Sequence, residues 1–402
     1  MANTPLSPTI ITREALRILH QKSKFIGSIN RQYDSRFANG GASPSGKIGP
    51  SLAIRMPNQF TVRSGATINV QDIAEESQTL TVSTQKGVDF KFASEELTLK
   101  IDEFSKRYID PAMSRLAAEI EADAITMYKD IYNIVDGDAA AFDFVHLSTA
   151  QEVLNDGLCP TGSRVALLKN KHVNKFLVAT KGLFNPQGQL SRQFADGVLG
   201  NICDFDIMAS SLLMNHTTGT AAKTTTYTVN GASEGADGNV TVQTGVQTFK
   251  KGDIVTFVGC NRVHPETKAD TGVLQKFVLT ADYAGGAGDI AISPKVLTSG
   301  AKQNVSAFPT NGGAVVKVGA GANELLDMSI AYHPDAFTFV TADLVDVSKF
   351  GAWGAREVLD GISLRIARQY DITNDTVPCR IDVLYGYKTI RPELASRIHA
   401  DG

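Results

Sequence analysis

A chain of 402 residues with 43% apolar and 20% charged residues can bury a core and is long enough for two or three domains, which excludes general disorder. Its formal net charge of −3 excludes a chain whose main work is gripping nucleic acid. No apolar run approaches the ~20 residues that cross a bilayer, and the N-terminal stretch lacks the apolar core of a signal peptide, so the expectation is a cytoplasmic product with no membrane partner.

The charge is uneven along the chain. Residues 1–48 hold seven basic and two acidic residues, leaving −8 for the remainder. A basic arm on an acidic body is expected to lie on something acidic: another subunit, a partner protein or nucleic acid. Within it Leu16, Ile18, Leu19, Phe25 and Ile26 give a short helical pattern, and Asn39–Gly46 reads as a linker. So little apolar surface does not fold alone, and the arm must order against a surface.

Residues 49–93 are β-rich. Short, partly alternating runs at Leu52–Met56, Phe60–Arg63, Ala66–Val70, Gln78–Val82 and Val88–Phe92 predict an extended arm of two or three strands. An isolated hairpin is marginal in water, so its faces need a surface from elsewhere, plausibly another chain.

Ser94–Tyr132 carries the longest helical signal. Leu97, Ile101, Phe104, Tyr108, Ala112, Met113, Leu116, Ile120, Ala124, Met127 and Ile131 share one face of a 3.6-residue period. Ser94 is a cap, and Asp110-Pro111 restarts the ladder as an N-cap with proline at the first helical position. Two helices are predicted, about 95–109 and 111–132, the second spanning ~33 Å.

Residues 143–215 read as α/β. Helices are predicted at Leu147–Leu154, capped by Ser148, and at Asn170–Ala179; strands at Arg164–Leu168 and Asp206–Ala209; a turn-rich loop at Lys181–Gly188. Residues 216–320 hold 15 of the 35 glycines, with short strands at Thr224–Val229, Val240–Thr244, Asp253–Val258, Gln275–Thr280, Asp289–Ile292 and Ala314–Val318. Six short strands with glycine-rich turns predict a small all-β barrel or sandwich inserted in the α/β part. Mixed structure resumes at Asn323, with a helix at Asp343–Phe350 and a long hairpin of Leu364–Tyr370 and Cys379–Lys388. The hairpin is expected to pack on the long helix.

Catalytic signatures are missing: no HExxH, Walker A, GxSxG or strand-rooted GxGxxG occurs. Gly319-Ala-Gly321 faintly resembles a phosphate loop, but a plain loop is expected because the surrounding dinucleotide-fold pattern is absent. The histidines are dispersed without ligand spacing; His172 and His146 read as structural or exposed. Cys159, Cys203, Cys260 and Cys379 have no CxxC pairing and read as reduced, buried thiols. Glu119, Glu121 and Asp123 form an acidic run on the long helix, better read as a solvated or intersubunit face than a metal site. The sequons at Asn215 and Asn239 carry little weight without a secretion signal. No enzyme, cofactor or metal is expected.

The order of parts resembles the major capsid proteins of tailed bacteriophages, with the Hong Kong 97 (HK97-like) fold. Ser94–Ala112 is similar to the start of that family's spine helix. Phe249–Gly259 resembles a stretch of the inserted β-barrel in the P22-like coat proteins of short-tailed phages. Ile366–Ile372 and Arg380–Leu394 resemble the family's C-terminus, and are the most specific part.

The resemblance implies an α+β fold with an inserted all-β barrel domain. The parts are an N-terminal arm (1–48), an E-loop (49–93), spine helix and peripheral domain (94–142), axial domain (143–215 and 321–360), the insertion (216–320) and a C-terminal peripheral hairpin (361–402). It implies a shell of pentamers and hexamers of this chain around phage double-stranded DNA, held without sequence specificity. A scaffolding protein and a portal protein are the expected partners, the virion the expected location, and the host cytoplasm the place of assembly. Intersubunit contacts are expected at Arg13, Arg17, Lys22, Lys24 and Arg31 of the arm, Glu119, Glu121 and Asp123 of the spine, and Glu234 and Asp237 of the loop Asn230–Asn239. The wider fold includes members cross-linked through an E-loop lysine; Lys86 is the lysine available here, with nothing nearby to specify that chemistry. The alternatives are an encapsulin-like nanocompartment shell and a carbohydrate-binding virion surface protein.

Overall fold

The computed structural model describes residues 12–17, 19, 23–33, 51–63, 65–68, 70–71, 75–93, 109–180, 200–319, 321–351, 353–359 and 362–401. In chain order the elements begin with α1 (Lys24–Ser28), β1 (Ser51–Arg55), β2 (Ser77–Thr81), β3 (Thr84–Ala93), α2 (Asp110–Ile125) and β4 (Ile134–Ala141). Next come α3 (Phe144–Asp156), β5 (Arg164–Lys169), α4 (Asn170–Thr180), β6 (Asn201–Ile202), β7 (Phe205–Ser210) and β8 (His216–Thr217). The insert supplies β9 (Thr224–Val229), β10 (Asn239–Gln243), β11 (Ile254–Val263), β12 (Asp270–Leu279), β13 (Gly288–Ser293) and β14 (Ala314–Lys317). The chain closes with β15 (Leu325–Leu326), β16 (Met328–Tyr332), β17 (Phe337–Ala342), β18 (Trp353–Leu359), β19 (Ile362–Arg368), β20 (Thr376–Thr389) and β21 (Ala395–Asp401).

These elements fall into two units. The first takes in the chain up to Arg55, Ser77–Ile125 and Phe337–Lys388. Its sheet runs β17-β20-β19-β18, and β3 also pairs with β20. β19 and β20 form the expected hairpin, closed across Asp371 and Thr376. Its inward residues Leu364, Ile366, Ile381, Val383 and Tyr385 are buried, as alternation requires. α2 belongs to the same unit and buries Met113, Leu116, Ala117, Ile120 and Ala124.

The second unit comprises Met56–Glu76, Thr126–Ala336 and Thr389–Gly402. A six-stranded sheet of order β4-β21-β16-β5-β7-β6 is flanked by α3 and α4. The insert is a closed barrel of order β10-β13-β12-β11-β14-β9. Closure leaves no free sheet edge. Tyr227, Val229, Val240, Val255, Phe257 and Phe277 fill its interior. A second buried cluster joins the barrel to the sheet: Ile254 and Val278 from the barrel meet Ile134 and Met328 from the sheet, with Leu326.

Several local expectations change. The spine helix ends at Ile125 and continues as a 3₁₀ turn over Thr126–Asp130; over a single turn, periodicity cannot separate 3.6 from 3.0 residues. Asp110 is already the first helical residue rather than the cap. The helix predicted at 95–109, its Ser94 cap and the loop 181–188 lie outside the described residues, Ile109 apart. α3 starts three residues early: Asp143, not Ser148, is its cap, accepting the Val145 N–H at 3.0 Å while His146 Nδ1 accepts the Asp143 N–H at 3.2 Å. The run at Val88–Phe92 lies in β3, which pairs with β20 instead of the extended arm, and the described residues of 60–63 and 66–70 are not in strands. Asp343–Phe350 shortens to a 3₁₀ turn at Val347–Phe350.

Candidate assembly surfaces

The arm orders against its own chain. Leu16, Leu19, Phe25 and Ile26 are buried, and the Phe25 ring meets Phe337 edge-on at 5.6 Å between centroids. Asn30 adds to β17: its N–H donates to the Phe337 carbonyl at 3.3 Å, and its carbonyl accepts from the Phe339 N–H at 3.2 Å and the Thr338 hydroxyl at 3.1 Å. The arm's basic residues have acidic neighbours within the subunit. Arg13 Nε lies 3.4 Å from Glu357, and Arg17 Nε donates to Glu14 at 3.0 Å. Lys24 lies in the field of Glu121, and Arg31 is half-buried. Lys22 lies outside the described residues.

The acidic run of α2 divides by side. Glu119 and Asp123 face β3, where Lys86 Nζ reaches them at 3.1 and 2.7 Å. Desolvation pulls the Lys86 pKa down, but the bonds to Asp123 and Glu119 outweigh it and the net direction is up. Tyr385 of β20 donates its hydroxyl to Asp123 at 2.5 Å; burial first, then that bond, pushes its pKa up. Glu121 points the other way and is 1% exposed, its Oε1 accepting the Phe25 N–H at 3.2 Å. Burial raises its pKa despite the bonds from Phe25 and Lys24.

In the barrel loop both acids are acceptors for their own turn. Glu234 Oε2 takes the Thr241 N–H at 2.7 Å. Asp237 takes the Asn239 N–H at 2.9 Å and its side-chain amide at 3.3 Å, which lowers its pKa while it stays exposed. The Glu234 carboxylate occupies the space a Cβ on Gly231 would need, so glycine is required there.

The extended loop is where apolar side chains are left uncovered. β1 and β2 form an antiparallel ladder, extended by the Met56 N–H to the Glu76 carbonyl at 2.8 Å. Beyond it Phe60, Val62, Ile68 and Val70 are 62, 98, 78 and 80% exposed. Gln71 braces the loop, exchanging bonds of 2.8 and 2.6 Å with the Thr61 backbone, and Glu76 pairs with Lys302 at 2.7 Å. Clustered exposed apolar residues mark a surface for a partner. The alternating runs at 60–63 and 66–70 carried this signal, although it read as strands.

Sequence reasoning missed a buried polar joint at the base of the barrel. Asp253, in the turn Lys250-Lys-Gly-Asp253, accepts from His216 Nε2 at 2.9 Å, the Gly219 N–H at 3.0 Å and the Lys250 N–H at 2.9 Å. His216 Nδ1 meets the Tyr128 hydroxyl at 3.2 Å. Arg397, buried on β21, donates to the carbonyls of Gly252 at 2.7 Å and Ile131 at 2.6 Å. Burial lowers its pKa to about 10. Gly319 and Gly321 are a loop whose N–H groups go to Asp136 at 3.3 Å and Glu324 at 2.9 Å, so those amides serve the fold. The cysteines are free thiols; Cys159, Cys260 and Cys379 are buried and Cys203 is half-buried, and burial raises Cys260 to about 12. Among the described residues no cluster of three or more His, Cys, Asp or Glu is placed to hold a metal, and no helix is long and apolar enough to cross a membrane.

The described surfaces are an arm seated on its own unit, a loop with exposed apolar side chains, and an inserted barrel bonded into its host sheet. The comparisons identify the chain. The sequence matches the P22 coat protein family (P22 coat protein, gene protein 5) over residues 42–397, and the chain belongs to that family. It is thus a phage major capsid protein, a structural protein of the virion that assembles with itself into a shell; the nanocompartment and glycan-binding alternatives are not favoured. Among solved structures it is similar to Mycobacterium phage Che8 (12% identity, 94% of this chain and 90% of that chain, TM-score 0.49). It is also similar to the capsid of Cyanophage P-SCSP1u (10%, 88% and 84%, 0.45) and the head of Helicobacter pylori bacteriophage KHP40 (10%, 87% and 84%, 0.44). No curated protein matches.

Proposed function

We propose that this chain closes into an icosahedral shell of pentamers and hexamers around double-stranded DNA. The observation that carries the reading is the loop tip: Phe60, Val62, Ile68 and Val70 stand exposed on a braced two-stranded stem. A second copy is the partner that covers them. Residues 1–48 then act as the N-terminal arm, 49–93 as the E-loop, 216–320 as the insertion, and 143–215 with 321–360 as the axial part near capsomer centres. One sequence must serve several local geometries, and bendable loops tolerate that. Each contact can be weak because many act together in a closed shell.

Arg13, Arg17, Lys22, Lys24, Arg31, Glu119, Asp123, Glu234 and Asp237 are the polar contacts proposed between subunits. Glu121 joins them through the arm it holds. The remaining partners are a scaffolding protein, a portal protein and the packaged DNA, with assembly in the host cytoplasm. A net charge of −3 suits a wall that holds DNA without gripping it.

Electron microscopy of the purified chain, with and without a co-expressed scaffolding protein, tests this. Closed shells or aberrant spirals are expected. Uniform small oligomers at high concentration would overturn it.

A further inference from the structure

Glu121 is costly where it stands. It sits midway along α2, 1% exposed, with Oε1 on the Phe25 N–H at 3.2 Å. Oε2 has no hydrogen-bond partner among the described residues. A buried, half-satisfied carboxylate opposes folding, and an apolar side chain would pack there without that penalty. Stability of the helix therefore does not explain the residue, but the arm does. Both N–H groups that reach the carboxylate, Phe25 and Lys24, belong to the arm.

We propose that Glu121 is a latch that holds the arm on its own subunit, at a strength set by the charge it carries. The rest of the seat is neutral contact: Phe25 against Phe337 and the Asn30 ladder on β17. The charged groups around it are few. Lys24 faces it from the arm, and Arg17 lies in the field of Asp110 at the start of α2. Glu119 and Asp123, on the other side of the helix, are engaged by Lys86. With its charge, the carboxylate makes the docked state pay for desolvation; without it, the same oxygen accepts the arm's N–H at no such penalty. Burial raises the folded pKa, so docking is tightest below the ordinary carboxyl range and weakens as pH rises through the folded value. This rests on the reading of the arm as an assembly element, and deepens it: the docked arm is withheld from neighbours until a subunit contact displaces it.

Hydrogen exchange on the full-length unassembled subunit tests the latch, read on peptides covering residues 12–30 and corrected for intrinsic rates. Glu121→Gln keeps the acceptor and removes the charge; its arm should exchange more slowly than wild type at pH 7. Glu121→Ala removes the acceptor, and its arm should exchange about fivefold faster, the loss expected for a capping-strength bond. Lowering the pH should slow arm exchange in wild type, and Glu121→Gln should not respond. Unchanged exchange in β19 and β20, which belong to the same unit as α2, shows that each variant is folded. Equal arm exchange in wild type and Glu121→Gln at pH 7, or a pH response that survives in Glu121→Gln, overturns the latch. Assembly rates are read separately. Slower assembly of Glu121→Gln supports the latch and the arm's role together. Arm exchange that follows the latch while assembly rates stay equal supports the latch and overturns the arm's role in assembly.

Discussion

His172 shows how a single residue ties stability to pH. The ring is fully buried and stacked on Phe142 at 4.9 Å. Ser329 Oγ already accepts the Lys169 N–H, so its proton goes to His172 Nδ1 at 2.6 Å, and His172 Nε2–H donates to the Ala400 carbonyl at 3.0 Å. Both nitrogens are thus used by the neutral form. Burial lowers the pKa to about 4, outweighing the Ala400 bond and nearby Asp327. The unfolded chain takes its proton first as pH falls below ~6.5, so the stability from this site is complete above that value and declines toward pH 4, by about 3 kcal/mol in all. The urea midpoint should therefore drop between pH 6.5 and 4.5, and His172→Gln should drop less. A slope unchanged by the substitution would refute this account. His216 and His333, also lowered chiefly by burial, add to the slope in the same direction. The lack of ligand spacing left His172 as structural or exposed, and its burial decides between them. Its bonds to residues 157 and 228 positions away were not readable from the sequence.

At the scale of elements, the question is what holds α2. Lys86 bridges Glu119 and Asp123, yet these groups are 26–49% exposed, and exposed pairs contribute only ~0–1 kcal/mol. The buried face is larger by magnitude: Leu116, 2% exposed, should cost ~2–5 kcal/mol when cut to alanine. Lys86→Met should therefore shift the urea midpoint slightly and Leu116→Ala strongly. The reverse ranking would show that the ion pairs, not packing, seat the helix. The helix was legible because its apolar residues repeat every three or four positions. The strand β3 was legible as a strand for a similar reason, but its partner was not. Pairing Thr84–Ala93 with Thr376–Tyr385 is a choice made across almost 300 residues, and alternation alone is satisfied by many partners. Four of the inserted strands were read to within a residue at each end, while β11 runs five residues further at its C-terminal end and β12 starts five residues earlier than expected. That they close on themselves follows from β9 meeting both β10 and β14, a pairing no local pattern specifies.

For the whole molecule, the arm is the part on which we propose that assembly turns. It is small, tied by Phe25, Ile26, the Asn30 bonds to β17 and the Arg13–Glu357 contact on β18. Deleting residues 1–30 should leave the subunit folded, as read by circular dichroism and barrel exchange, while correct shells fail to form under the electron microscope. Normal closure of the truncated chain would refute the arm's assigned role.

The amino-acid sequence by itself determined the periodic elements: the spine helix, the six barrel strands, the C-terminal hairpin and the apolar runs of the extended loop. Each depends on residues within a few positions of one another, where helix and strand geometry set the spacing. Only the tertiary structure decided the partners. It turned the acidic run of α2 into two sites, Glu119 and Asp123 on Lys86 and Glu121 on the arm, because positions two apart on a helix face opposite ways. It also buried Arg397, His216 and Asp253 together at the base of the barrel. Burial and pairing are properties of distant segments brought into contact, and charge alone does not reveal them.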